Sequence, residues 1–152
     1  MKSLTPNMEM YLKTIYEIAD EGGQPRVKLI AKRLGVTMPS VTGAIENLQN
    51  KNLVEHTPYG DVRLTTRGRR IARQVKERHE LIHRFLSNVL KLPAAMASRD
   101  ACVLEHVVSP RTFERMSSFL QFTEAYPDFS TDLIEKFEEW LAQNESPDSR
   151  DT

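Results

Sequence analysis

The sequence contains a single cysteine, Cys102, which excludes an internal disulfide and indicates a reducing compartment. Apolar runs are short, and none approaches the roughly 20 residues that a membrane-spanning helix needs. Residues 1–6 lack the pattern of a secretory signal peptide. We therefore expect a cytoplasmic protein without a membrane segment, whose 152 residues can bury one good core or two small lobes.

The formal net charge of zero conceals a strong segregation of charge along the chain. Residues 1–76 contain 13 Lys and Arg against 7 Asp and Glu, whereas residues 77–152 contain 8 against 14. A basic front half beside an acidic back half indicates that one lobe binds a polyanion and that the other has a different task.

The basic half has the element order of a winged helix-turn-helix. Thr5 is expected to cap a first helix over residues 6–20, and Gly35 suits the left-handed stop of a second over 27–34. Thr37 is expected to cap a third helix over 38–51. Two strands, 53–56 and 62–65, then flank a turn at residues 58–61.

The third helix has the features of a recognition helix. Its apolar residues recur at helical spacing, which leaves small and hydroxyl-bearing side chains outside, where they can bond base edges or phosphates. Basic residues around it and on the wing can neutralise phosphates. The alternative is a solvated basic face on a protein-interaction module. The predicted DNA-binding residues are Arg26, Lys28, Thr37, Pro39, Ser40, Thr42, Gly43, Lys51 and Arg63.

The acidic half is predicted to be helical throughout. A long helix over residues 66–90 is followed by one that starts after Leu92-Pro93, and by another from Ser109-Pro110 to about Tyr126. A last helix over 130–142 presents Leu133, Phe137, Trp140 and Leu141 as its apolar face. The predicted fold is mainly α, with a DNA-binding domain over 1–72, a helical metal-binding and dimerisation domain over 73–142, and a disordered tail over 143–152.

Two groups of side chains have the spacing of metal ligands. Cys102, Glu105 and His106 stand at i, i+3 and i+4, so one helix face would present thiolate, carboxylate and imidazole together. His79 and His83 repeat the i, i+4 spacing upstream. The alternatives are a buried cysteine beside exposed neighbours, and two hydrogen-bonded core histidines.

Met10 is out of place in the first helix. The apolar stripe there contains Met8, Tyr11, Leu12, Ile15, Ile18 and Ala19, and Met10 points roughly 140° away from its middle at about 100° per residue. It is expected on the polar side, among Lys13, Thr14 and Glu17. It either packs against the second lobe or supplies a soft ligand to the Cys102 group.

The chain resembles the diphtheria-toxin-repressor family of metal-dependent transcriptional regulators. The resemblance covers about residues 4–125 and implies dimers that bind palindromic operators in double-stranded DNA and repress metal-uptake genes. Longer members have a third, SH3-like domain, and this chain is expected to be a short form without it. The matching stretches are EMYLKTIY (9–16), IAKRLGV (30–36), PSVT (39–42), LVE (53–55), VRLTTRG (62–68) and CVLEHVVS (102–109).

The resemblance also implies ligands. The family's primary site matches Met10, Cys102, Glu105 and His106, and its ancillary site matches His79. At the next ancillary position iron-dependent members have Glu where this chain has His83, and a further family His is Ser98 here, so this site is altered. In the recognition helix, Thr37, Pro39 and Thr42 match base-contacting positions, whereas Gly43 replaces a side chain that can bond a base.

The ligand types favour Fe(II). The manganese branch typically has acidic residues where this chain has Met10, Lys13 and Cys102, and sulfur ligands favour Fe(II), Co(II), Ni(II) or Zn(II) over Mn(II). Intracellular availability then selects Fe(II), with the other metals as alternatives.

Two rival hypotheses concern the same residues. His79-Glu80-Leu81-Ile82-His83 has the H-E-x-x-H pattern of zinc peptidases, in which Glu80 would be the general base. Glu80, however, is expected on a solvated face with Arg73, Lys76 and Arg84, and we predict no enzymatic activity. The other rival is a regulator in which Cys102 senses oxidation and the metal is incidental.

Overall fold

The computed structural model describes residues 4–57 and 60–144, and it is mainly helical, as predicted. The chain divides into two compact units, residues 1–78 and 79–152, so the division falls six residues after the expected boundary. The elements are α1 (Pro6–Asp20), α2 (Val27–Leu34), α3 (Met38–Asn50), β1 (Val54–His56), β2 (Val62–Leu64), α4 (Thr66–Arg84), a π-helical turn (Phe85–Val89), α5 (Ala94–Val107), α6 (Pro110–Ala125) and α7 (Pro127–Asn144).

The first unit contains the winged helix-turn-helix. Thr5 and Thr37 cap α1 and α3 through their side-chain oxygens, which accept from the backbone N–H groups of Met8 and Ser40. Gly35 ends α2 with φ of 65°, a conformation that favours glycine. The core of this unit is built by α1, α2, α3 and the two strands, and its largest fully buried side chains are Leu12, Ile15, Ile18, Ile30, Ile45, Leu48 and Leu53.

The wing is a two-stranded antiparallel ribbon in which Glu55 is opposite Arg63. The N–H of Val62 donates to the carbonyl of Pro25 at 2.7 Å, so the wing is also tied to the segment that precedes α2. Of the predicted turn, Gly60 and Asp61 are described, and its first two residues lie outside the described part of the chain.

The polar side of α1, where Met10 was expected, is largely withdrawn from solvent. Lys13 and Thr14 are buried, with 7% and 3% of their surface exposed, and Met10 and Glu17 are half-buried. The amphipathic pattern of a single helix does not reveal this burial, because it separates apolar from polar residues and carries no information on contacts with other elements. Ala19, which was placed in the buried stripe, is exposed.

The second unit does not contain the single uninterrupted helix that was predicted up to residue 90. Helix α4 ends at Arg84 and continues as a π-helical turn, in which the N–H of Leu90 donates to the carbonyl of Phe85, five residues earlier. Ile82 and Leu86 pack with Ala97 and Ala101 of α5 to form a second, smaller core. This core holds together the two helices that carry His79 and Cys102.

Helix α7 begins at Pro127, three residues before the predicted start, and the described residues cover only part of its predicted apolar face. Leu133 and Trp140 are exposed, and Ser130 is the buried residue of this helix. Gln143 and Asn144, assigned to the tail, are helical, and the rest of that predicted tail lies outside the described residues. In the part of the chain that is described, no helix combines the length and apolarity needed to cross a bilayer.

Candidate metal centre and nucleic-acid interface

Helix α5 projects the predicted triplet from one face, as its spacing required. Glu105 is buried, with 2% of its surface exposed, whereas Cys102 is exposed and only 10% of the His106 side chain is exposed. The Nε2 atom of His106 lies 3.3 Å from Oε1 of Glu105. The carboxylate is therefore at the centre of the group, with the imidazole and the thiol beside it.

His79 of α4 completes this group. Its Nδ1 atom lies 2.7 Å from Oε2 of Glu105 and 3.8 Å from the Sγ atom of Cys102. We call His79, Cys102, Glu105 and His106 the Glu105 cluster. Both carboxylate oxygens face an imidazole nitrogen, which offsets the cost of burying an anionic group.

The donor chemistry of the Glu105 cluster suits a divalent transition metal. A thiolate, two imidazoles and a carboxylate are the ligand types that Fe(II), Co(II), Ni(II) and Zn(II) share. Within residues 4–57 and 60–144, however, no group of three or more His, Cys, Asp or Glu side chains already has the geometry that would hold a metal ion. The members are instead joined to each other by hydrogen bonds, so the fit to a metal rests on donor types and proximity.

The other predicted ligands are placed differently. His83 is half-buried, and its ring stacks on that of His79 with 6.3 Å between centroids. Ser98, at the position of a family histidine, is exposed on α5. Met10 belongs to the first unit and packs against the core there. The roles of Met10 and His83 as metal ligands stay predictions.

The recognition helix α3 exposes the residues predicted to contact bases. Thr37, Pro39, Ser40 and Thr42 are all exposed, and Gly43 is half-buried with no atom within 4 Å of a Cβ built on it. The hydroxyl of Thr42 donates to the carbonyl of Met38, and the hydroxyls of Thr37 and Ser40 are 2.9 Å apart. The exposed surface at the start of α3 is therefore rich in short side chains that can approach a groove floor.

The predicted phosphate-binding residues surround this helix. Lys28, Lys51 and Arg63 are exposed, on α2, at the end of α3 and on β2. Arg26 is exposed as well, but its Nε atom donates to Asp61 at 2.9 Å and its Nη2 atom donates to Gln24 at 2.8 Å. The charge of Arg26 is therefore shared with a wing carboxylate, which lowers its value as an independent phosphate ligand.

Two features of the sites were not predicted from the sequence. Met38, at the first position of α3, is 53% exposed and joins the hydroxyl-bearing surface as an apolar side chain. Its place beside Pro39 in the first turn, before the apolar stripe begins, is a signal that could have revealed it. The Arg26–Asp61 pair joins residues 35 positions apart, and no local pattern announces it.

Both halves of the chain match models of one protein family. Residues 3–62 match the iron dependent repressor N-terminal DNA binding domain. Residues 65–141 match the iron dependent repressor metal binding and dimerisation domain. The chain belongs to the iron-dependent repressor family. This confirms the predicted resemblance and the winged-helix and helical-domain fold.

Relatives and solved structures agree with this membership. The chain is 33% identical over 149 residues to the diphtheria toxin repressor of Corynebacterium glutamicum, covering 98% of this chain and 65% of that protein. It is 34% identical over 120 residues to the iron-dependent repressor IdeR of Mycobacterium leprae, covering 79% of this chain and 52% of that one. The structure of the manganese regulator SloR is similar with a TM-score of 0.69 and 35% identity, over 78% of this chain and 55% of that one. The chain thus spans only 52–65% of the length of these relatives.

Family membership bears on the zinc-peptidase hypothesis. The iron-dependent repressors are transcriptional regulators, not enzymes, which confirms the expectation that the chain is not an enzyme. Glu80, the general base of that hypothesis, is exposed on α4, and His79 is hydrogen-bonded to Glu105. The H-E-x-x-H pattern is therefore a chance consequence of two histidines one turn apart.

Proposed function

We propose that the chain is a metal-dependent, DNA-binding transcriptional repressor that acts in the cytoplasm, with Fe(II) as its favoured metal. The observation that carries this proposal is the Glu105 cluster, in a chain whose other unit is a winged helix-turn-helix. A switch of this kind needs a site that responds to the metal and a surface that binds DNA. A candidate for each lies on a separate unit of this chain, which supports the proposal.

The DNA-binding role rests on α3 and the wing. Thr37, Pro39, Ser40 and Thr42 are the proposed base-contacting residues, whereas Lys28, Lys51 and Arg63 are the proposed phosphate ligands. Gly43 has no side chain that could contact a base, so at this position only the backbone of α3 can approach the DNA. The expected binding site is a palindrome, because each protomer of a dimer contacts one half-site.

Homodimerisation is supported by the apolar surface of the second unit, which the family assigns to dimerisation. Several of its large exposed apolar residues lie on α6, on α7 or between them, where a second copy would cover them: Phe122, Tyr126, Phe129, Leu133 and Trp140. Val103 and Val107 of α5 are exposed as well. The two recognition helices of such a dimer must lie about 34 Å apart, one turn of DNA, to enter successive major grooves.

The metal role rests on the Glu105 cluster, with Met10 and His83 as further proposed ligands. A bound divalent cation would supply positive charge to the Glu105 carboxylate and the Cys102 thiolate. With Met10 as a further ligand, the metal would tie α1 of the DNA-binding unit to α5, which carries Cys102. We propose that this ordering raises the fraction of dimers whose recognition helices match the operator, which is a population shift.

The proposed function is tested by anaerobic binding to fragmented genomic DNA at fixed salt, with chelator, Fe(II), Mn(II) or Zn(II) in parallel. We expect enrichment of a palindromic sequence with metal and not with chelator, and strongest enrichment with Fe(II). Equal enrichment with chelator would remove the metal as the switch. Enrichment insensitive to chelator but lost on peroxide treatment would favour Cys102 as an oxidation sensor.

The preference for iron can be tested with the double variant Cys102→Asp/Met10→Asp. Exchanging two sulfur donors for carboxylates should raise activation by Mn(II), relative to activation by Fe(II), at least about tenfold, because Mn(II) prefers oxygen ligands. The measurement is half-maximal activation of operator binding by each metal. Its matched control, Gln74→Asp/Gln121→Asp, makes the same changes of charge at exposed positions outside both proposed sites, and the ratio should then be unaltered. An unchanged ratio in the first variant would contradict the assignment of sulfur as the source of selectivity.

A further inference from the structure

The first turns of α4 carry a group of arginines that the proposed DNA-binding residues do not include. Arg67, Arg69 and Arg70 are all exposed, and no acidic residue lies in the first turn of this helix. Among the described residues, no carboxylate forms an ion pair with any of the three, whereas Arg73, one turn further on, pairs with Glu77. We call Arg67, Arg69 and Arg70 the α4 arginine group.

This placement is unfavourable for the helix itself. Cations near a helix N-terminus oppose the helix dipole, and like charges three or four residues apart repel each other. Arg67 and Arg70 have the first of these spacings, and Arg69 and Arg73 the second. A polyanion bound to this surface would relieve both effects.

The α4 arginine group lies beside the end of the recognition helix. The hydroxyl of Thr65, just before α4, donates to the carbonyls of Asn52 and Leu53. Gly68, between Arg67 and Arg69, packs so closely that a Cβ on it would lie 1.9 Å from the Leu53 carbonyl oxygen. Lys51, the C-cap of α3, directly precedes these residues. The first turn of α4 is thus packed against Asn52 and Leu53, which follow the recognition helix.

One member of the group, Arg69, lies beside the wing. Arg69 and Arg63 line one cleft of about 250 Å³, together with Asp61. Arg63 and Arg26 line an adjoining cleft of about 450 Å³, which also contains Asp61 and Glu55. Basic side chains therefore extend from the start of α2, across the wing, to the start of α4, and Asp61 there is paired with Arg26.

We propose that Arg67, Arg69 and Arg70 bind backbone phosphates of the DNA duplex, flanking the bases that face the recognition helix. This inference rests on the proposed DNA-binding function and extends its surface beyond α3 and the wing. Guanidinium groups suit the task because their N–H donors match phosphate oxygens in pairs. Contacts of this kind position the protein on the duplex and are independent of base sequence.

The test is the salt dependence of DNA binding by the variant Arg67→Gln/Arg70→Gln, measured in the metal-activated full chain. Each lost phosphate contact lowers the slope of log Kd against log salt by about 0.9, so we expect a decrease of about 1.8 per protomer. Affinity should fall by the same factor for the selected palindrome and for unrelated duplex DNA. The matched control, Arg111→Gln/Arg115→Gln, makes the same change of charge at exposed positions of α6 and should leave the slope unaltered.

The outcomes separate this inference from the proposed function. If the wild-type chain shows no metal-dependent selective DNA binding, the proposed function fails and this inference fails with it. If the wild-type chain binds and the Arg67/Arg70 variant keeps the wild-type slope, only this inference is overturned. A loss confined to the palindrome would also overturn it, since phosphate contacts weaken all sequences equally. Unchanged circular dichroism and a melting temperature no lower than that of the wild-type chain verify that the variant is folded.

Discussion

Replacing Glu105 by Gln is expected to abolish metal-activated DNA binding while leaving the protein folded. Gln keeps the size of the side chain and one carbonyl oxygen for the hydrogen bond from His79, but it removes the negative charge that a cation needs. The affinity for the metal should fall by at least about 100-fold, since even outer partners of a metal ligand are worth 10–100-fold. No comparable loss of stability is expected, because a buried carboxylate is costly to desolvate.

The measurement is an anaerobic titration with Co(II), whose absorption reports thiolate ligation by Cys102, followed by DNA binding at a metal concentration that saturates the wild-type chain. Glu114→Gln is the matched control, because Glu114 is an exposed carboxylate on α6 that pairs with Arg111. It should titrate like the wild-type chain. If Glu105→Gln bound Co(II) with undiminished affinity, the Glu105 cluster would not be the metal site.

The Glu105 cluster depends on a contact between His79 and Glu105 that was not predicted from the sequence. The i, i+3, i+4 spacing was sufficient to place Cys102, Glu105 and His106 on one face of α5, because helix geometry is local. The pairing of His79 with Glu105 joins residues 26 positions apart on two helices, and it depends on how α4 and α5 pack through Ile82, Leu86 and Ala101. His79 was therefore assigned to a separate, ancillary site.

The predicted helix starts differ in the same way: those that depend on a local contact were correct, and the start of the last helix was not. Thr5, Thr37 and Ser109 cap their helices as predicted, since each needs only its own hydroxyl and a backbone N–H three residues on. The last helix was predicted to start at another hydroxyl-bearing residue, Ser130, but it starts at Pro127. In the structure the hydroxyl of Ser130 donates instead to the carbonyls of Thr123 and Pro127, so it joins α7 to α6. Because the hydroxyl of Ser130 bonds a carbonyl of α6, Ser130 does not act as an N-cap.

The π-helical turn was missed for a different reason. Hydrophobic periodicity over residues 66–90 fits a single α-helix, and one widened turn shifts the phase of that pattern by too little to be noticed. The turn places Leu86 in the second core. The N–H of Leu92 donates to the carbonyl of Leu86. Packing against α5 therefore determines the end of α4, and the local sequence does not.

Replacing Gly68 by Ala is expected to destabilise the chain by about 3 kcal/mol or more, at the upper end of overpacking costs. The added methyl group would lie 1.9 Å from the carbonyl oxygen of Leu53 and 2.9 Å from its carbonyl carbon, so backbone has to move. That carbonyl also accepts from the N–H and the hydroxyl of Thr65, and both bonds would be strained together. Conformational freedom is not the reason for this glycine. The cause is the close approach of α4 to the residue that leads into the wing.

Gly43→Ala is the matched control for this change, because Gly43 is also helical but a Cβ there meets no atom within 4 Å. Alanine should stabilise α3 by about 0.5–1 kcal/mol, the ordinary difference in helix propensity. Urea unfolding of both variants beside the wild-type chain gives the two values, which should differ in sign. If Gly68→Ala cost no more than about 1 kcal/mol, α4 would not be seated on Leu53, and the placement of the α4 arginine group beside the recognition helix would lose its support.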